Sequence, residues 1–342
     1  MIDVAQEERA AVVHRLVRVV QTHFGMEVTF VIGAGRDRSA DVHVPLRFDD
    51  RTHGMLWCSR HQGQALRDGE LEAVQALADL AAEQLEEIEQ TERLARHRRK
   101  VVLDVVRNGL ALEMAYQPLR HLHDGRVLAV EALARFPLHP GGPEWFFREA
   151  ADQGLGVEAE VLAVRRALDR LSEIPEPVRL NVNVSPTTLV HPRFLQEVST
   201  VPAGRLTVEV TEHAVIEDYC DVQRVCAQLT ALGIRTSIDD VGTGWSGLHR
   251  ILECRPDELK LDAAVIRDVH REPLKQYLIE TLCGFARRAG ADVVAEGIES
   301  ADELRALREL GIMVGQGYHL GRPGDLEALF TPLPVSRHPA CG

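Results

Sequence analysis

Residues 205–240, RLTVEVTEHAVIEDYCDVQRVCAQLTALGIRTSIDD, carry the pattern that decides the fold. RLTVEVTE and GIRTSIDD are strand-like runs, and DVQRVCAQLTAL between them has the spacing of an amphipathic helix. Similar runs alternate from residue 110 onward, and the eight strand candidates are LEMAYQPL, RVLAVEAL, VRLNVNVS, RLTVEVTE, GIRTSIDD, DELKLD, ADVVAEGIE and GIMVGQGY. Because strands that alternate with helices form parallel sheets, and eight strands can close on themselves, we expect an α/β fold of the TIM-like (β/α)8 barrel type.

The link between the first two of these strands departs from a regular barrel. It consists only of RHLHDG, residues 120–125. A connection between parallel strands needs a crossover of a dozen or more residues, which this link cannot provide. We therefore expect the first barrel strand to pair antiparallel with the second.

A second, smaller α/β domain precedes the barrel in the sequence. Residues 5–24 have a helical pattern, and MEVTFVI, DVHVPLRF and HGMLWCS are three strand candidates. A long helical pattern, which we interpret as a helical linker, starts near Asp68. Its heptad seam of apolar residues consists of Leu71, Val74, Ala78, Ala81, Leu85 and Ile88. The composition turns basic at RLARHRRK, so we predict a domain of residues 1–97 followed by a barrel domain of residues 98–335.

The heptad seam has two interpretations. It is the pattern of a coiled coil, which would pair two chains into a homodimer. An amphipathic helix needs only one apolar partner surface, however, so the same face can pack on the strands of its own domain. We predict the homodimer, with a rigid-body route from the seam to the barrel.

Composition excludes several classes of protein. The chain has 342 residues, 45% of them hydrophobic, and a net charge of -13. This charge is opposite in sign to the basic surface on which non-specific nucleic-acid binding depends. No apolar run approaches the roughly 20 residues that span a bilayer, and the acidic start MIDVAQEERA is not a signal peptide. The cysteines are scattered without a CxxC pair. We expect a cytoplasmic protein that binds neither nucleic acid nor membranes.

Polar side chains stand at or near the ends of most of the predicted barrel strands. In chain order they are Glu131, Asn183, Glu209, Glu212, Asp239, Asp240, Lys260, Asp262, Glu296, Glu299 and Gln316. The carboxyl ends of parallel barrel strands meet on one face, where barrel active sites lie. A single acidic residue at such a place is commonly a helix cap or a turn residue. Acidic groups from five strands together favour a divalent-metal site.

The adjacent carboxylates of Asp239 and Asp240 need a physical reason, because like charges beside a low-dielectric core repel one another. Hard cations such as Mg²⁺ and Mn²⁺ prefer carboxylate and amide oxygens and would convert that repulsion into coordination. Two ions about 3.5–4 Å apart would suit in-line displacement at phosphorus. The alternative for these two residues alone is a capping pair.

Motifs in residues 105–330 resemble the EAL family of cyclic di-GMP phosphodiesterases. They are YQP (116–118), EALAR (131–135), NVS (183–185), EVTE (209–212), DDVGTG (239–244), LKLD (259–262), AEGIE (295–299) and QGY (316–318). Each is weak alone, but their order on the predicted strands is specific. The resemblance implies hydrolysis of cyclic di-GMP to linear pGpG with two Mg²⁺ or Mn²⁺ ions per active site. Ca²⁺ is expected to inhibit, because its longer, looser coordination misplaces the attacking water.

The resemblance also implies roles for individual residues. The metal ligands are Glu131, Asn183, Glu209, Asp239, Asp240 and Glu296. Lys260 is similar to the lysine that orients the attacking water, and Glu296 and Gln316 are expected beside that water. Gln117 and Arg135 are the expected substrate contacts, with Arg135 on a phosphate. Glu212 and Glu299 are expected to position the ligands, with surface caps as the alternative.

The sequence departs from the family pattern in two places. Val241, Trp245 and Gly247 replace the phenylalanine, tyrosine and serine that usually stand in the loop after the paired aspartates. Met313 stands where an aspartate is common before the glutamine of QGY. No expected metal ligand is lost, which favours an enzyme over a receptor that binds cyclic di-GMP without cleaving it. Another barrel metalloenzyme, such as an aldolase, is a weaker alternative.

The N-terminal segment resembles the last part of a GAF sensory domain. The resemblance is carried by VPLRFDDRTHGMLWCSRHQGQALRDGELEAVQALADLAAEQLEE, which reads as strand, turn, strand and long helix. The alternative is a small α/β dimerisation module without a ligand.

Overall fold

The computed structural model of the protein describes residues 4–24, 26–31, 42–49, 51–59, 67–109, 111–137, 141–211, 219–242 and 253–330. The side chains of Val4, Ala5, Asp68 and Asp240 lie outside this description. The chain divides into two compact units, Met1–Val101 and Val102–Gly342. The domain boundary expected from the sequence, between residues 97 and 98, falls within a few residues of this division.

The first unit is a three-stranded sheet with two helices. Its elements are α1 (Val4–Phe24), β1 (Glu27–Val31), β2 (Val42–Phe48), β3 (Arg51–Ser59) and the start of α2 (Asp68–Asn108). The strands pair antiparallel in the order β1-β3-β2. The three strands and the long helix lie where the sequence pattern predicts them.

The apolar seam of α2 packs within its own unit. Val74, Ala78, Ala81 and Leu85 are buried in one cluster with residues of α1 and of the sheet, among them Leu56. The seam therefore packs on the strands of its own domain, as expected if the helix needs only one apolar partner surface. Homodimer formation stays a prediction, but it needs a surface other than these four side chains.

The second unit is a closed barrel of eight strands. They are β4 (Glu113–His121), β5 (Val127–Arg135), β6 (Arg179–Val184), β7 (Leu206–Val210), β8 (Arg235–Val241), β9 (Glu258–Leu261), β10 (Asp292–Ala295) and β11 (Val314–Gly315). The order around the barrel is β10-β11-β4-β5-β6-β7-β8-β9. β4 runs antiparallel to both β5 and β11, whereas the other neighbours pair parallel. The predicted barrel with an antiparallel first strand is confirmed.

Helices surround the barrel and cover the outward faces of its strands. They are α3 (Gly142–Asp152), α4 (Gly156–Leu168), α5 (Pro186–Leu189), α6 (Pro192–Val198), α7 (Tyr219–Ala231), α8 (Ala263–Ile266), α9 (Pro273–Ala289), α10 (Ala301–Glu309) and α11 (Leu326–Leu329). The apolar faces of most of them form one buried cluster with the outward strand residues, as Leu229 of α7 and Ile279 of α9 illustrate, whereas Phe146 and Ala150 of α3 belong to a second cluster. Full burial of one such side chain contributes about 1.5–3 kcal/mol to stability.

Alternation along the strands directs the polar side chains into the barrel. In β9, ELKL, Leu259 and Leu261 join the apolar cluster with the helices, so Lys260 between them faces the interior. In β6, RLNVNV, Leu180 and Val182 likewise join that cluster. The intervening asparagines therefore face the interior, where the site is built.

Candidate active site

The side chain of Lys260 lies at the centre of an acidic cluster inside the barrel. Only 1% of it is exposed. Its Nζ is 2.6 Å from Glu296 Oε1 and 2.8 Å from Glu209 Oε2. The same atom is 3.6 Å from Glu131 Oε2 and 3.6 Å from Asp239 Oδ1. One ammonium group thus contacts four carboxylates that come from four different strand ends.

Amide side chains from neighbouring strands hold the carboxylate of Glu131. Asn183 donates from Nδ2 to Glu131 Oε1 at 2.7 Å, and Gln316 donates from Nε2 to Glu131 Oε2 at 2.7 Å. Gln316 Nε2 also lies 2.8 Å from Gln117 Oε1, and Gln117 donates from Nε2 to the carbonyl of Gly321 at 3.0 Å. Both ends of the Gln117 amide are therefore engaged with protein groups, so this residue orients Gln316.

Asn181 is a site residue that the sequence reasoning missed. Its Nδ2 donates to Glu209 Oε1 at 2.7 Å, and both side chains are fully buried. Because Lys260 takes the other oxygen of Glu209, this carboxylate is fixed from two sides. The alternation of RLNVNV places Asn181 and Asn183 on the same face of β6, and this spacing was the signal that could have identified it.

The cluster contains more negative than positive groups, and the pKa values reflect this excess. Burial raises the pKa of Glu209 well above its ordinary value, although Lys260 works in the opposite direction. Burial likewise raises the pKa of Glu296 to about 8, with Asp239 and Glu131 adding to the rise. Without a cation, these two groups retain protons that ordinary glutamates release.

The pKa shifts of Lys260 and Glu131 go in the directions that favour their charged forms. Burial alone would lower the pKa of Lys260, but the carboxylates of Asp239, Glu131, Glu209 and Glu296 raise it well above its ordinary value. Burial alone would raise the pKa of Glu131, but Lys260 and the two amide hydrogen bonds hold it below its ordinary value. Lys260 and Glu131 thus form a charged pair at neutral pH.

A cavity of about 320 Å³ opens over this cluster. Its lining residues include Gln117, Glu131, Asp239, Lys260, Glu296, Glu299, Gln316 and Tyr318. Tyr318 is 52% exposed, and the guanidinium of Arg322 lies 4.3 Å from the centre of its ring. The cavity therefore has the charged cluster around Lys260 at its bottom and the aromatic ring of Tyr318 at its wall.

Gly297, which follows Glu296, is required by the local backbone. Its φ is 67°, a left-handed conformation that side chains disfavour. A Cβ at this position would lie 2.4 Å from the Cβ of Ala263. The glycine therefore lets the strand end turn close to α8 while Glu296 points at Lys260.

Four of the expected site residues have a different setting or lie outside the description. Arg135 donates from Nη1 to the carbonyl of Ala134 at 3.0 Å and lines a second cavity of about 210 Å³ beside Asn183. Glu299 is exposed at the wall of the first cavity, and its backbone N–H donates to Glu303. Glu212 lies outside the described residues, as do Trp245 and Gly247. Asp240 belongs to β8, but its side chain is not described.

The donor set fits a hard divalent cation. The oxygens of Glu131, Glu209, Asp239 and Glu296 are the ligand type that Mg²⁺ and Mn²⁺ prefer. Asn183 uses its amide N–H toward Glu131, which leaves its oxygen as the atom for a cation. Burial, and after it the neighbouring carboxylates, raise the pKa values of Glu209 and Glu296, and a bound cation would lower both.

Comparison with known proteins identifies the family of the barrel. Residues 101–323 match the EAL domain family, and the chain belongs to this family. The cyclic di-GMP phosphodiesterase NbdA of Pseudomonas aeruginosa is 32% identical over 232 residues, which cover 64% of this chain and 30% of that protein. The chain spans about 30% of the length of such curated relatives.

Two solved structures extend the comparison. The PaMucR phosphodiesterase in complex with c-di-GMP has a TM-score of 0.59 and 28% identity, covering 67% of this chain and 99% of that one. The calcium and cyclic di-GMP complex of Klebsiella pneumoniae BlrP1 has a TM-score of 0.56 and 29% identity, covering 63% of this chain and 56% of that one.

Among the helices that the structure describes, none combines the length and apolarity that crossing a bilayer requires.

Proposed function

We propose that the barrel hydrolyses cyclic di-GMP to linear pGpG with two Mg²⁺ or Mn²⁺ ions in the acidic cluster. The observation that carries this proposal is the contact of one buried lysine, Lys260, with four carboxylates at the floor of an open cavity. Membership of the EAL family, with phosphodiesterases among the relatives, supports the choice of substrate.

The ligands of the two ions would come from the described carboxylates, Asn183 and Asp240. Bound divalent ions would supply Lewis-acid polarisation of the phosphate and a more acidic attacking water. The Klebsiella BlrP1 structure is a calcium complex, in line with a site of this kind that also admits Ca²⁺. We keep inhibition by Ca²⁺ as a prediction, because its coordination is longer and less rigid.

Lys260 serves the reaction through its fixed position and its charge. The four surrounding carboxylates keep it protonated and immobile, so it costs no reorganisation when negative charge develops on the phosphate. Its Nζ contacts Glu296 Oε1 at 2.6 Å. The pair therefore presents a donor and an acceptor side by side, and a water bound against it could accept from Lys260 and donate to Glu296.

Glu296 is the best placed group to take a proton from the attacking water. Burial raises its pKa to about 8 without a cation, and bound cations would lower that pKa and leave the ionised carboxylate that a base needs. Hydrolysis adds the water oxygen to phosphorus and breaks the P–O3′ bond of the ring. One proton of the water goes to Glu296, the leaving 3′ oxygen takes a proton from solvent and becomes the 3′-hydroxyl of pGpG, and Glu296 returns its proton to solvent.

The remaining site residues bind and orient. Gln117 holds the amide of Gln316, which in turn holds Glu131 toward Lys260. Arg135 stands at the end of β5 beside Asn183, with a guanidinium suited to one phosphate of the ring. Arg135 would thus bind substrate, whereas Gln117 and Gln316 orient a carboxylate of the reacting centre.

The test is incubation of the purified full-length protein with cyclic di-GMP and Mg²⁺ or Mn²⁺, followed by chromatography. We expect pGpG, and no product when EDTA is present. Binding of cyclic di-GMP without turnover under any divalent metal would reject the enzyme and support the alternative, a receptor that binds the nucleotide and signals to a partner.

We further propose that the GAF-like N-terminal domain regulates the barrel, that the protein is a homodimer and that it acts in the cytoplasm. The continuous helix α2, which reaches from the first unit to Asn108, supports a mechanical link. Removal of residues 1–97 is expected to alter activity and to weaken self-association. Sedimentation at micromolar concentration tests whether the protein is a homodimer, and a monomeric full-length protein would contradict this proposal.

A further inference from the structure

A second cluster of ligand-type side chains lies in the first unit, outside the barrel. His53 of β3 lies between Glu86 and Glu89 of α2. Its Nε2 is 3.2 Å from Glu86 Oε2, and its Nδ1 is 3.4 Å from Glu89 Oε1. The two glutamates are three residues apart and so share one face of the helix. The strand and the helix thus present an imidazole and two carboxylates to one another.

The imidazole of His53 is buried and lacks a hydrogen bond at Nε2. Only 4% of its side chain is exposed, and Nε2 has no hydrogen-bond partner within the described part of the chain. A buried polar atom without a partner is unfavourable. Glu86 Oε2 lies only 3.2 Å from Nε2, but the two groups are not aligned for a hydrogen bond, and an ion bound between them would satisfy both.

The spacing of the donor atoms suits one small ion. One donor atom from each of His53, Glu86 and Glu89 lies within 4.8 Å of the others. Zinc binds imidazole nitrogen and carboxylate oxygen at about 2.0–2.2 Å, so ligands around one ion are separated by about 3–3.6 Å. Glu86 lies at Nε2 and Glu89 at Nδ1, so one glutamate side chain has to reorient for both to share an ion on one ring nitrogen.

Arg51 occupies the outer side of this cluster. Its Nη1 is 3.2 Å from Glu86 Oε2, and its Nη2 is 3.3 Å from Glu89 Oε2. The side chain of Arg51 is 48% exposed, so the guanidinium can move into solvent when a cation arrives. Arg51 is therefore a competitor for the two carboxylates and a stand-in for a metal ion.

Glu86 is already in the protonation state that a ligand needs. Burial alone would raise its pKa, but the hydrogen bond from Gln90 and the charges of Arg51, His53 and Arg93 hold the pKa below its ordinary value. A metal would therefore displace no proton from this carboxylate at neutral pH.

We propose that His53, Glu86 and Glu89 form a binding site for a divalent transition-metal ion such as Zn²⁺, with water completing its coordination. The mixed nitrogen and oxygen donors distinguish this site from the oxygen cluster of the barrel, which suits Mg²⁺. A bound ion would join β3 to α2 and stabilise the first unit. The inference is independent of the function proposed for the barrel.

The test measures Zn²⁺ binding to the full-length protein by calorimetry and compares variants of the first unit, so that any Zn²⁺ bound by the barrel is common to all of them. We expect a Zn²⁺ site that His53→Gln weakens by about 10- to 100-fold and that Glu89→Gln weakens as well. His14→Gln is the matched control, because His14 is exposed on α1, and it should bind Zn²⁺ like the wild type. Circular dichroism checks that each variant is folded.

Arg51→Gln separates a metal site from a purely structural ion-pair cluster. Removal of the competing guanidinium should tighten Zn²⁺ binding, whereas an ion-pair cluster would only lose stability. Co²⁺ gives a second readout, because an imidazole ligand changes its visible absorption. Equal Zn²⁺ binding by wild type, His53→Gln and Arg51→Gln, or an unchanged Co²⁺ spectrum in His53→Gln, would overturn the proposal.

Discussion

Lys260 Nζ and Glu296 Oε1 are 2.6 Å apart, which makes Glu296 the nearest of the four carboxylates around the buried lysine. Glu296 stands directly after β10 and Lys260 stands within β9, two strands that pair in parallel. The acid and the ammonium are thus fixed by sheet register rather than by a loop.

Substitution of Lys260 by alanine is expected to reduce turnover far more than binding. The ammonium acts mainly as charge develops in the transition state, so kcat should fall by about 10²–10³-fold. Steady-state rates of pGpG formation and calorimetry with cyclic di-GMP give the two quantities. Normal turnover by Lys260→Ala would show that the assignment is wrong.

Glu131→Gln is expected to lose metal and activity together. The substitution keeps the size of the side chain but removes a charge that Lys260, Asn183 and Gln316 all hold in place. Mn²⁺ binding followed by calorimetry should weaken in parallel with the rate. Glu309→Gln is the control, since Glu309 is exposed on α10 and does not line the cavity, and this variant should bind Mn²⁺ as the wild type does.

Asn181→Leu tests whether orientation of Glu209 matters. Loss of the 2.7 Å hydrogen bond frees one oxygen of that carboxylate, and we expect activity to fall by about 10- to 100-fold. Thr207→Val is the matched control, because Thr207 faces Asn181 in the sheet and its buried Oγ1 has no hydrogen-bond partner in the described structure. If both variants lost activity equally, the Asn181 contact would have no special role.

The metal-free protein should lose stability as pH rises from about 4.5 to about 8. Burial raises the pKa of Glu296 to about 8 from an ordinary 4.5, so the folded state keeps a proton that the unfolded state has released. The unfolded state binds fewer protons across this window, and the free energy of unfolding therefore falls with rising pH. Glu209, whose pKa is also raised, adds to the same trend.

Urea unfolding in EDTA across this pH range measures the effect. Glu296→Gln should flatten the dependence, because glutamine does not titrate. Glu299→Gln should leave it as in the wild type. A wild-type free energy of unfolding that rises with pH across this range would contradict the raised pKa of Glu296.

Glu303→Ala is expected to destabilise the barrel by about 1–3 kcal/mol. The buried carboxylate of Glu303 accepts hydrogen bonds from the backbone N–H groups of Asp268, Glu299 and Ser300. The alanine leaves these donors without their acceptor. Asp302→Ala is the control on the same helix, since Asp302 is exposed and pairs only with Arg305 among the described contacts. Equal losses in the two variants would argue against the special role of Glu303.

The sequence predicted the barrel well because its signals are local. Alternation within each strand and the length of each connection determine direction and pairing, and RHLHDG was too short for anything but an antiparallel link. The meeting of Glu131, Glu209, Asp239, Lys260 and Glu296 follows from their positions at neighbouring strand ends. Their roles in catalysis stay predictions until variants are measured.

The contacts of the α2 seam and of individual site side chains were harder to predict, because a local sequence pattern does not specify which surface or group each one contacts. The apolar seam of α2 could equally pack on a second chain or on its own sheet, and it packs on its own sheet. Gln117 stays a predicted substrate contact, and its amide also contacts Gln316 and Gly321. Asn181 was overlooked because it lies within β6, two residues before Asn183, rather than at the strand end.

The reversed direction of β4 has a consequence for how the barrel domain is entered. Glu113, the first residue of β4, pairs with Arg135, the last residue of β5, so the chain arrives at the catalytic rim rather than at the opposite end of the barrel. The final turns of α2 reach the same rim, where Val102 and Val105 share a buried cluster with Phe136. A displacement of that helix end would act on the residue next to Arg135 directly, without first deforming the eight strands.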